Sequence, residues 1–481
     1  MSAAGGHRLV TLDADSLWQI AARGIPVPPY DRSALRPRVL HLGVGGFHRA
    51  HLALYTDELA RAGGDWGIRG LGILPGDRRM AAVLGAQDCL YTLIERGNEP
   101  PLPRVIGSIV DYVLAVDDPA AVAARIADPR VAILSMTVTE SGYSLEGPNA
   151  TFDLIAGGLD RRRRERGGPL TIMSCDNLPG NGAVARAATR AACEARGHGL
   201  ARWVEASCAF PSSMVDRITP VTTDGDREWL RTTWGVADAW PVVCERFRQW
   251  VVEDAFAAGR PAWEDAGAIV TDRVHEWELY KLRMLNASHS CMAYLSALAG
   301  IAFVDEAVAE PAVRGFLERL LWREAIPTLA EIPGYPREDY AATVLERFAN
   351  TGVRDQIARI CIDGTAKFRS FLIPTVERQV AAGGPVDCAA LALAGWARYL
   401  ATTPRERRAP DASGDRSAAD AARAAADPAS FVESNAIFTE PLRRSAPFRQ
   451  AFVAASERLR ALGPLAAMEQ TAALEPAPTV R

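Results

Sequence analysis

Short apolar runs alternate with helical patterns through the N-terminal half of the chain. Val39 to Leu42 is apolar apart from His41, and after a glycine turn a helical pattern extends from about Arg49 to Ala62. Further apolar, β-branched runs that predict strands are Ile68–Ile73, Val131–Val138, Leu170–Ser174 and Trp203–Phe210. Strands that alternate with helices are typical of a parallel sheet in an α/β domain.

The hydrophobic pattern changes in the second half of the chain. From Trp277 onward, Ala, Leu, Arg and Glu recur at helical spacing, and strand signals are few. We therefore predict two domains. Residues 1–276 form an α/β domain, and residues 277–481 form a predominantly α-helical domain.

A glycine turn joins the first strand to the helix that follows it. The residues of the turn are Gly43, Val44, Gly45, Gly46 and Phe47. Glycines let the backbone approach a pyrophosphate, and a helix N-terminus favours its negative charge. His48 occupies the position of the third glycine in the G-x-G-x-x-G fingerprint, so the match is imperfect. Its place at the first strand–turn–helix unit still predicts a Rossmann-type dinucleotide site.

Asp77 follows the second predicted strand. An acidic residue there accepts hydrogen bonds from the adenosine ribose hydroxyls, which favours NAD over NADP. Arg78 and Arg79 come next, and an arginine at this place suits the 2′-phosphate of NADP. The sequence therefore predicts NAD as the cofactor and leaves the use of both dinucleotides open.

Composition narrows the classes of partner and location. The formal net charge of −4 argues against a nucleic-acid partner. No run of about 18 apolar residues is present and the N-terminus has no apolar signal core, so we expect a cytoplasmic protein without a membrane partner. The eight cysteines are scattered without a C-x-x-C pair. His48 and His51 share a helix face without a third ligand at suitable spacing, so no metal site is predicted.

Lysine is almost absent from this chain. Of the 54 lysine and arginine residues, only Lys281 and Lys367 are lysine. Arginine does not deprotonate in proteins whereas a buried lysine can, so both positions are candidates for chemistry, with chance survival on the surface as the alternative. Lys281 stands at the start of a predicted helix. At about 100° per residue, Lys281, His289 and Asn286 fall at roughly 0°, 80° and 140° and therefore share one broad side.

The chain resembles the polyol-specific long-chain dehydrogenase/reductase family over nearly its whole length. The motifs that carry this resemblance are Gly43–His51, Ser174–Gly182, Met214–Pro220 and Lys281-x4-Asn286-x2-His289. The resemblance implies an N-terminal Rossmann-type NAD-binding domain, a helical substrate domain, and an active site in the cleft between them. One departure is the segment between Tyr143 and Phe152, which is shorter than in the mannitol-oxidising members.

The resemblance also implies roles for individual residues. Lys281 is the general base, Asn177 and Asn286 form an oxyanion hole, and His289 holds the substrate. The substrate-binding positions that the resemblance adds are Asp216, which supports the site electrostatically, and Arg359 and Lys367, which bind polyol hydroxyls.

The activity that the resemblance implies is metal-free, NAD-dependent interconversion of D-mannitol and D-fructose. The nearest alternative is fructuronate reductase, whose substrate carboxylate needs a further positive partner, and arabinitol and sorbitol are alternative polyols. A zinc-dependent polyol dehydrogenase and a non-catalytic dinucleotide-binding protein are the rivals from other classes. The expected partner is a small polyol or ketose, and the oligomeric state stays open, with a monomer included.

Overall fold

The computed structural model of the protein describes residues 8–145 and 149–474. The chain divides into two compact units, Met1–His275 and Glu276–Arg481. The shortened segment between Tyr143 and Phe152 falls partly outside the described residues, because residues 146–148 are not among them. None of the described helices is long and apolar enough to cross a membrane.

A six-stranded parallel sheet forms the centre of the first unit. Its strands in chain order are β2 (Arg36–Leu42), β3 (Trp66–Gly72), β6 (Ile109–Leu114), β7 (Ile133–Met136), β8 (Leu170–Ser174) and β9 (Cys208–Ala209). Their spatial order is β6-β3-β2-β7-β8-β9, so the chain winds outward from β2 in both directions. In such a sheet, ligands bind beyond the carboxyl ends of the strands where the winding reverses, which here is between β2 and β7.

Four of the predicted strands are confirmed, because their residues form the buried centre of this sheet. Val39 of β2 pairs with Ile68 of β3 on one side and with Ile133 of β7 on the other. All three side chains are fully buried. Strands covered on both faces are expected to be almost continuously apolar, which is why these strands could be predicted from the sequence.

The predicted strand over Trp203–Phe210 is wrong. Residues His198–Ser207 form helix α8, and only Cys208–Ala209 continue as the short edge strand β9. The buried side chains of α8 are Leu200, Ala201 and Val204, which lie three to four residues apart on one helix face. The apolar positions therefore follow a helical period of 3.6 residues and not the two-residue period of a strand.

Smaller sheets and nine helices complete the described part of the first unit. The remaining strands are β1 (Val10–Thr11), β4 (Tyr91–Arg96), β5 (Leu102–Ile106), β10 (Ser213–Asp216), β11 (Val236–Ala237), β12 (Val242–Glu245), β13 (Gln249–Val252) and β14 (Ile269–Val270). The helices are α1 (Leu17–Ala21), α2 (Gly46–Ala50), α3 (Leu52–Arg61), α4 (Arg78–Ala86), α5 (Pro119–Ala127), α6 (Ala150–Arg164), α7 (Asn181–Arg196), α8 and α9 (Asp224–Trp234).

The second unit is built from helices, as the sequence predicts. They are α10 (Val274–Tyr280), α11 (Ala287–Leu298), α12 (Val304–Ala309), α13 (Pro311–Arg319), α14 (Arg337–Phe348), α15 (Ile357–Ile360), α16 (Gly364–Lys367), α17 (Ile373–Ala382), α18 (Asp387–Thr402), α19 (Gly414–Arg423), α20 (Ala429–Ser434), α21 (Glu440–Arg444), α22 (Ala446–Leu462) and α23 (Pro464–Ala472). Helices α11 and α18 are almost wholly buried. They pack on each other, and Leu295 fills the space that Gly395 leaves open.

Candidate active site

The glycine turn stands at the carboxyl end of β2, at the point where the sheet winding reverses. Gly43 has φ +86°, a conformation that side chains other than glycine rarely adopt. A Cβ atom on Gly43 would lie 2.2 Å from the carbonyl oxygen of Thr137. Thr137 Oγ1 also donates a hydrogen bond of 2.7 Å to the carbonyl of Gly43. Glycine at this position is therefore required by both backbone conformation and the neighbouring strand.

Gly45 and Gly46 leave open space at the start of helix α2. A Cβ atom on Gly45 or Gly46 would meet no atom closer than 3.9 Å or 3.6 Å respectively. Helix α2 begins at Gly46, directly after the turn, and the amide groups at the start of a helix bind anions such as a pyrophosphate. Val44 is buried and Phe47 stacks on His51 at 5.0 Å, so both apolar residues fix the turn by packing. The residues present therefore fit a dinucleotide.

His48 takes the place of the third glycine without disturbing this arrangement. Its ring stacks on that of His41 with 3.4 Å between centroids and 15° between planes. Burial lowers the pKa of His41 to about 3 and that of His48 well below its usual value, so both rings are neutral. Neither ring nitrogen of His48 has a hydrogen-bond partner within the described residues. His48 therefore acts as a flat packing residue between helix and strand, which is the role of the missing glycine.

Asp77 ends a short turn after β3. One carboxylate oxygen, Oδ2, accepts hydrogen bonds from the backbone N–H groups of Ile73 (2.7 Å) and Leu74 (2.9 Å). Arg78 forms an exposed ion pair with Asp117 at 2.5 Å. The guanidinium of Arg79 lies 4.7 Å from the ring centroid of Trp240. Both arginines thus have partners of their own, while the turn holds the Asp77 carboxylate in place at the end of β3.

Replacing Asp77 with alanine is expected to weaken NAD binding much more than NADP binding, because only NAD carries the adenosine 2′-hydroxyl, which would donate a hydrogen bond to the carboxylate. Asp77→Asn is the matched control, because its amide oxygen can still accept the backbone hydrogen bonds of the turn. If the alanine variant loses more NAD affinity than the asparagine variant, the additional loss comes from disruption of the turn. Dissociation constants for both dinucleotides, measured by calorimetry, check this. Equal weakening of both would mean that Asp77 does not contact the ribose.

Asn177 lies in a loop whose neighbouring residue, Asp176, accepts several hydrogen bonds. Asp176 accepts hydrogen bonds from the backbone N–H groups of Val138 (3.0 Å) and Thr139 (2.9 Å) and from the hydroxyl of Tyr143 (2.6 Å). Burial and this carboxylate raise the pKa of the Tyr143 hydroxyl, which therefore stays protonated as a donor. Asp176 thus fixes the loop after β7 to the end of β8, while the side chain of Asn177 is exposed. The sequence motif contained Asp176 but did not reveal this positioning role.

Asn181 connects the Asn177 loop to the strand that ends at Asp216. Its amide nitrogen donates to the carbonyl of Ser213 (2.7 Å), and its amide oxygen accepts from the Ser213 N–H (2.9 Å). Asp216 is buried as the last residue of β10 and stands opposite Gln249 in β13. The buried guanidinium of Arg217 donates to the carbonyls of Ala50 (2.6 Å) and Glu245 (2.9 Å). Arg217 therefore ties the end of α2 to β12, a role that sequence reasoning missed.

Lys281 is not at the start of a helix, contrary to the prediction. Helix α10 runs directly into a π-helical segment, Lys281–Asn286, which continues into α11. A π-helical turn bonds each residue to the fifth one along, so the angles predicted at 100° per residue do not hold across it. Lys281 is buried, and Asn286 and His289 are partly buried at the other end of the wide turn. Such turns occur frequently at functional sites.

Two further π-helical segments, Leu320–Ala325 and Phe368–Leu372, contact the one that begins at Lys281. Lys367 directly precedes the last of them. Lys281 is thus the first residue of one π-helical segment, and Lys367 immediately precedes another. No apolar periodicity in the sequence signals a π-helix, so this shared feature was not predicted.

His289 is a neutral residue with one unused nitrogen. Its ring stacks on Phe348 at 4.1 Å, and its Nε2 atom is buried without a hydrogen-bond partner among residues 8–145 and 149–474. Burial lowers the pKa of His289 to about 3, with Asp355 opposing and Arg359 adding to the shift. The ring is thus suited to a hydrogen bond with a ligand and poorly suited to accept a proton.

Besides burial, the positive charges of Arg359 and Lys367 contribute to the lowered pKa of His289. The guanidinium of Arg359 forms a bidentate ion pair with the buried carboxylate of Asp355. Lys367 donates a hydrogen bond of 3.0 Å from Nζ to the carbonyl of Ile360. Burial and the charge of Arg359 lower the pKa of Lys367. The three polyol-binding candidates of the helical unit are therefore near enough for their charges to interact.

Among the residues that the structure describes, the histidine, cysteine and acidic side chains do not form an evident metal site. Within the described ranges, no group of three or more such side chains is placed to hold a metal ion. His41 and His48 contact each other through the faces of their rings. This stacking does not form a metal site, because histidine binds a metal ion through a ring nitrogen.

Two family models match nearly all of the chain. The mannitol dehydrogenase Rossmann domain matches residues 37–265, and the mannitol dehydrogenase C-terminal domain matches residues 273–460. A mannitol 2-dehydrogenase of Phaeosphaeria nodorum is 39% identical over 96% of this chain and 85% of its own length. Mannitol dehydrogenase 2 of Saccharomyces cerevisiae is 37% identical over 93% of this chain and 94% of its own.

Two solved structures share the fold of the whole chain. The mannitol 2-dehydrogenase of Pseudomonas fluorescens, in a ternary complex with NAD and D-mannitol, is 37% identical with a TM-score of 0.84 and covers 96% of this chain and 99% of its own. A D-sorbitol dehydrogenase in substrate-free form is 34% identical with a TM-score of 0.88 and covers 95% of this chain and 100% of its own. The predicted Rossmann-type domain and helical domain are confirmed.

Proposed function

This chain belongs to the mannitol dehydrogenase family and is an NAD-dependent oxidoreductase acting on CH–OH groups, and we propose that it interconverts D-mannitol and D-fructose. The observation that carries the proposal is the match over 96% of the chain to an enzyme whose structure holds NAD and D-mannitol. The names of the sequence relatives support the same substrate. The family resemblance inferred from the sequence motifs is thereby confirmed.

In the proposed reaction, Lys281 is the general base. Its neutral amine takes the proton of the substrate hydroxyl, which leaves an alkoxide on the reacting oxygen. The carbinol carbon then loses a hydride, for which bound NAD supplies the acceptor. The buried position of Lys281 is compatible with this role, because lysine, unlike arginine, can lose its proton inside a protein. The neutrality of His289 also supports it, because an imidazole whose pKa is about 3 is a weak base near neutral pH.

Asn177 and Asn286 would stabilise the developing alkoxide. An uncharged amide N–H group can donate a hydrogen bond to an oxyanion without changing its own protonation state. One such donor typically stabilises the transition state by about 2.7–4 kcal/mol. The hydrogen bonds that Asp176 accepts beside Asn177 support this role, since oxyanion donors act best when they are held in place beforehand. Asp216 would support the site electrostatically from the buried end of β10.

His289, Arg359 and Lys367 would bind the hydroxyl groups away from the reacting carbon. His289 offers its unused Nε2, and the ammonium of Lys367 has further donor capacity beyond the Ile360 carbonyl. The charge of Arg359 is offset by Asp355, which suits a neutral polyol better than a sugar acid. This pairing is the main argument against fructuronate as the substrate.

Sorbitol is the second candidate substrate, because a D-sorbitol dehydrogenase structure matches the chain almost as fully as the mannitol enzyme does. The two polyols differ in configuration at a single carbon, so the discrimination depends on individual hydroxyl contacts. Arabinitol is the shorter alternative.

A substrate panel tests the proposal. With NAD present, we expect D-mannitol to give the highest kcat/KM among D-mannitol, D-sorbitol and D-arabinitol, followed through the absorbance of the reduced nicotinamide. In the reverse direction, D-fructose should be reduced faster than D-fructuronate. A higher kcat/KM for D-sorbitol than for D-mannitol would make D-sorbitol the preferred substrate. If no polyol were turned over, the non-catalytic dinucleotide-binding protein would be the better interpretation.

The metal-free character of the reaction has a separate test. We expect full activity after exhaustive dialysis against a chelator such as EDTA, because the proposed proton and hydride transfers use only side chains and the nicotinamide. Activity that disappears on chelation and returns with Zn²⁺ would contradict the lysine mechanism.

A further inference from the structure

An apolar pocket in the helical unit lies outside the elements that carry the proposed active site. It has a volume of about 260 Å³ and is lined by residues of α18, α19, α20 and α22. Six of its fourteen lining residues are alanine, among them Ala394, Ala421 and Ala424, and two more are Phe431 and Phe452, whose rings stack with 6.0 Å between centroids. We call it the alanine pocket. A cavity of roughly 150 Å³ already holds a benzene ring, so this pocket has room for an apolar chain of several carbons.

Two arginines, Arg398 and Arg460, lie at the alanine pocket and lack strong partners. Arg398 reaches the carbonyl of Leu459, and Arg460 that of Ala425, each at 3.5 Å. Both distances exceed the usual range of about 2.7–3.2 Å for a good hydrogen bond. Neither guanidinium forms an ion pair with any residue in the ranges 8–145 and 149–474, and the pocket lining contains no acidic side chain.

Two other arginines on helices that line the pocket, Arg423 on α19 and Arg449 on α22, have acidic partners. Arg423 pairs with Asp420, and Arg449 pairs with Glu433 at 2.7 Å. The two arginines of the alanine pocket are thus cations beside an apolar surface without a protein counter-ion. A guanidinium is the side chain best matched to a carboxylate, which it binds through two parallel hydrogen bonds.

We propose that the alanine pocket binds a straight-chain aliphatic monocarboxylate. The alkyl chain would pack against Phe431 and Phe452, and the carboxylate would accept hydrogen bonds from Arg398 and Arg460. A polyol matches this lining poorly, because most of its hydroxyls would face alanine, phenylalanine, leucine and proline side chains, and the hydroxyls of Thr402 and Ser456 already donate to carbonyls of their own helices at 2.8 Å. A cationic ligand does not fit either, because its charge would face two arginines. The site is therefore distinct in chemistry from the polyol site.

Calorimetric titration of the full chain with hexanoate, octanoate and decanoate, each below its micelle concentration, tests the proposal. Affinity should rise by about fourfold for each methylene that is buried, and should level off when the pocket is full. Decanol, which has the chain without the charge, should bind at least about tenfold more weakly than decanoate. Equal binding of decanol and decanoate, or no binding of any carboxylate, would overturn the proposal.

Two sets of variants locate the binding. Ala421→Leu fills the pocket and should reduce decanoate affinity at least about tenfold, whereas Ala422→Leu, an exposed neighbour on the same helix outside the lining, should leave it unchanged. The double variant R398Q/R460Q keeps the pocket volume and should weaken decanoate at least about tenfold while decanol binding is unchanged. All variants should retain wild-type kcat for the polyol, since none of these residues is in the proposed active site.

Two results in these variants would contradict the proposal. If decanoate bound A421L and R398Q/R460Q as tightly as the wild type, its binding site would have to lie elsewhere in the protein. Sedimentation that shows a dimer of the wild type, lost in A421L and unaffected by decanoate, would assign the pocket to a second copy of this chain instead.

Discussion

Replacing Lys281 with alanine is expected to lower turnover by roughly 10²–10⁴-fold, which is the usual contribution of a positioned general base. NAD affinity should be nearly unchanged, because the glycine turn and Asp77 belong to the Rossmann unit and Lys281 to the helical one. Steady-state kinetics and calorimetric NAD titration separate the two quantities. A small primary amine added to the alanine variant should restore part of the rate, because it can accept the same proton.

Two matched controls decide whether Lys281 acts as a base or as a charge. Lys281→Arg keeps the positive charge but cannot deprotonate near neutral pH, so it should be almost as inactive as the alanine variant. Lys367→Ala removes the only other lysine of the chain and should act mainly by raising KM, since Lys367 is proposed to bind substrate. If Lys281→Arg retained most of the activity, the proton acceptor would have to be another group.

Replacing Asn286 with alanine is expected to lower kcat by about 10²–10³-fold with a smaller change in KM, because the amide would contact the reacting oxygen most strongly when that oxygen is charged. Asn177→Ala should have an effect of the same order and for the same reason. Stopped-flow measurement of the hydride-transfer step checks both variants.

Asn286→Asp is the stricter form of this experiment. Aspartate has the shape of asparagine but replaces the amide donor with a negative charge, which would repel an alkoxide. It should therefore be at least as inactive as the alanine variant. An aspartate variant with near-normal kcat would exclude Asn286 from the oxyanion hole and would leave it a structural residue of the π-helical turn.

The predictions that succeeded rest on local signals in the sequence. The strands β2, β3, β7 and β8 could be predicted because central parallel strands are buried on both faces and must be apolar along their length. The helical second unit could be predicted because its amphipathic period is repeated over many residues. The glycine turn could be predicted because a positive φ and a close backbone neighbour exclude almost every other residue type at Gly43.

The sequence also selected both lysines, through their rarity in a chain that uses arginine for nearly all of its positive charge. That inference needed no structure, because it rests on the one property that separates the two side chains, the ability of lysine to lose its proton. The resemblance to a known family then assigned residue roles that composition alone could not supply.

Tertiary structure decided the remaining features, because each depends on contacts between distant parts of the chain. His48 replaces a glycine only because His41, on the neighbouring strand, provides a ring to stack on. The segment at Trp203 is a helix because its buried face meets a core formed by other elements. Lys281 stands at the opening of a π-helical turn because that segment packs against two others far away in sequence. The sequence by itself thus determined the strand–turn–helix unit, the helical domain and the candidate lysines, whose signals are local. The backbone geometry that presents those lysines was decided only by packing.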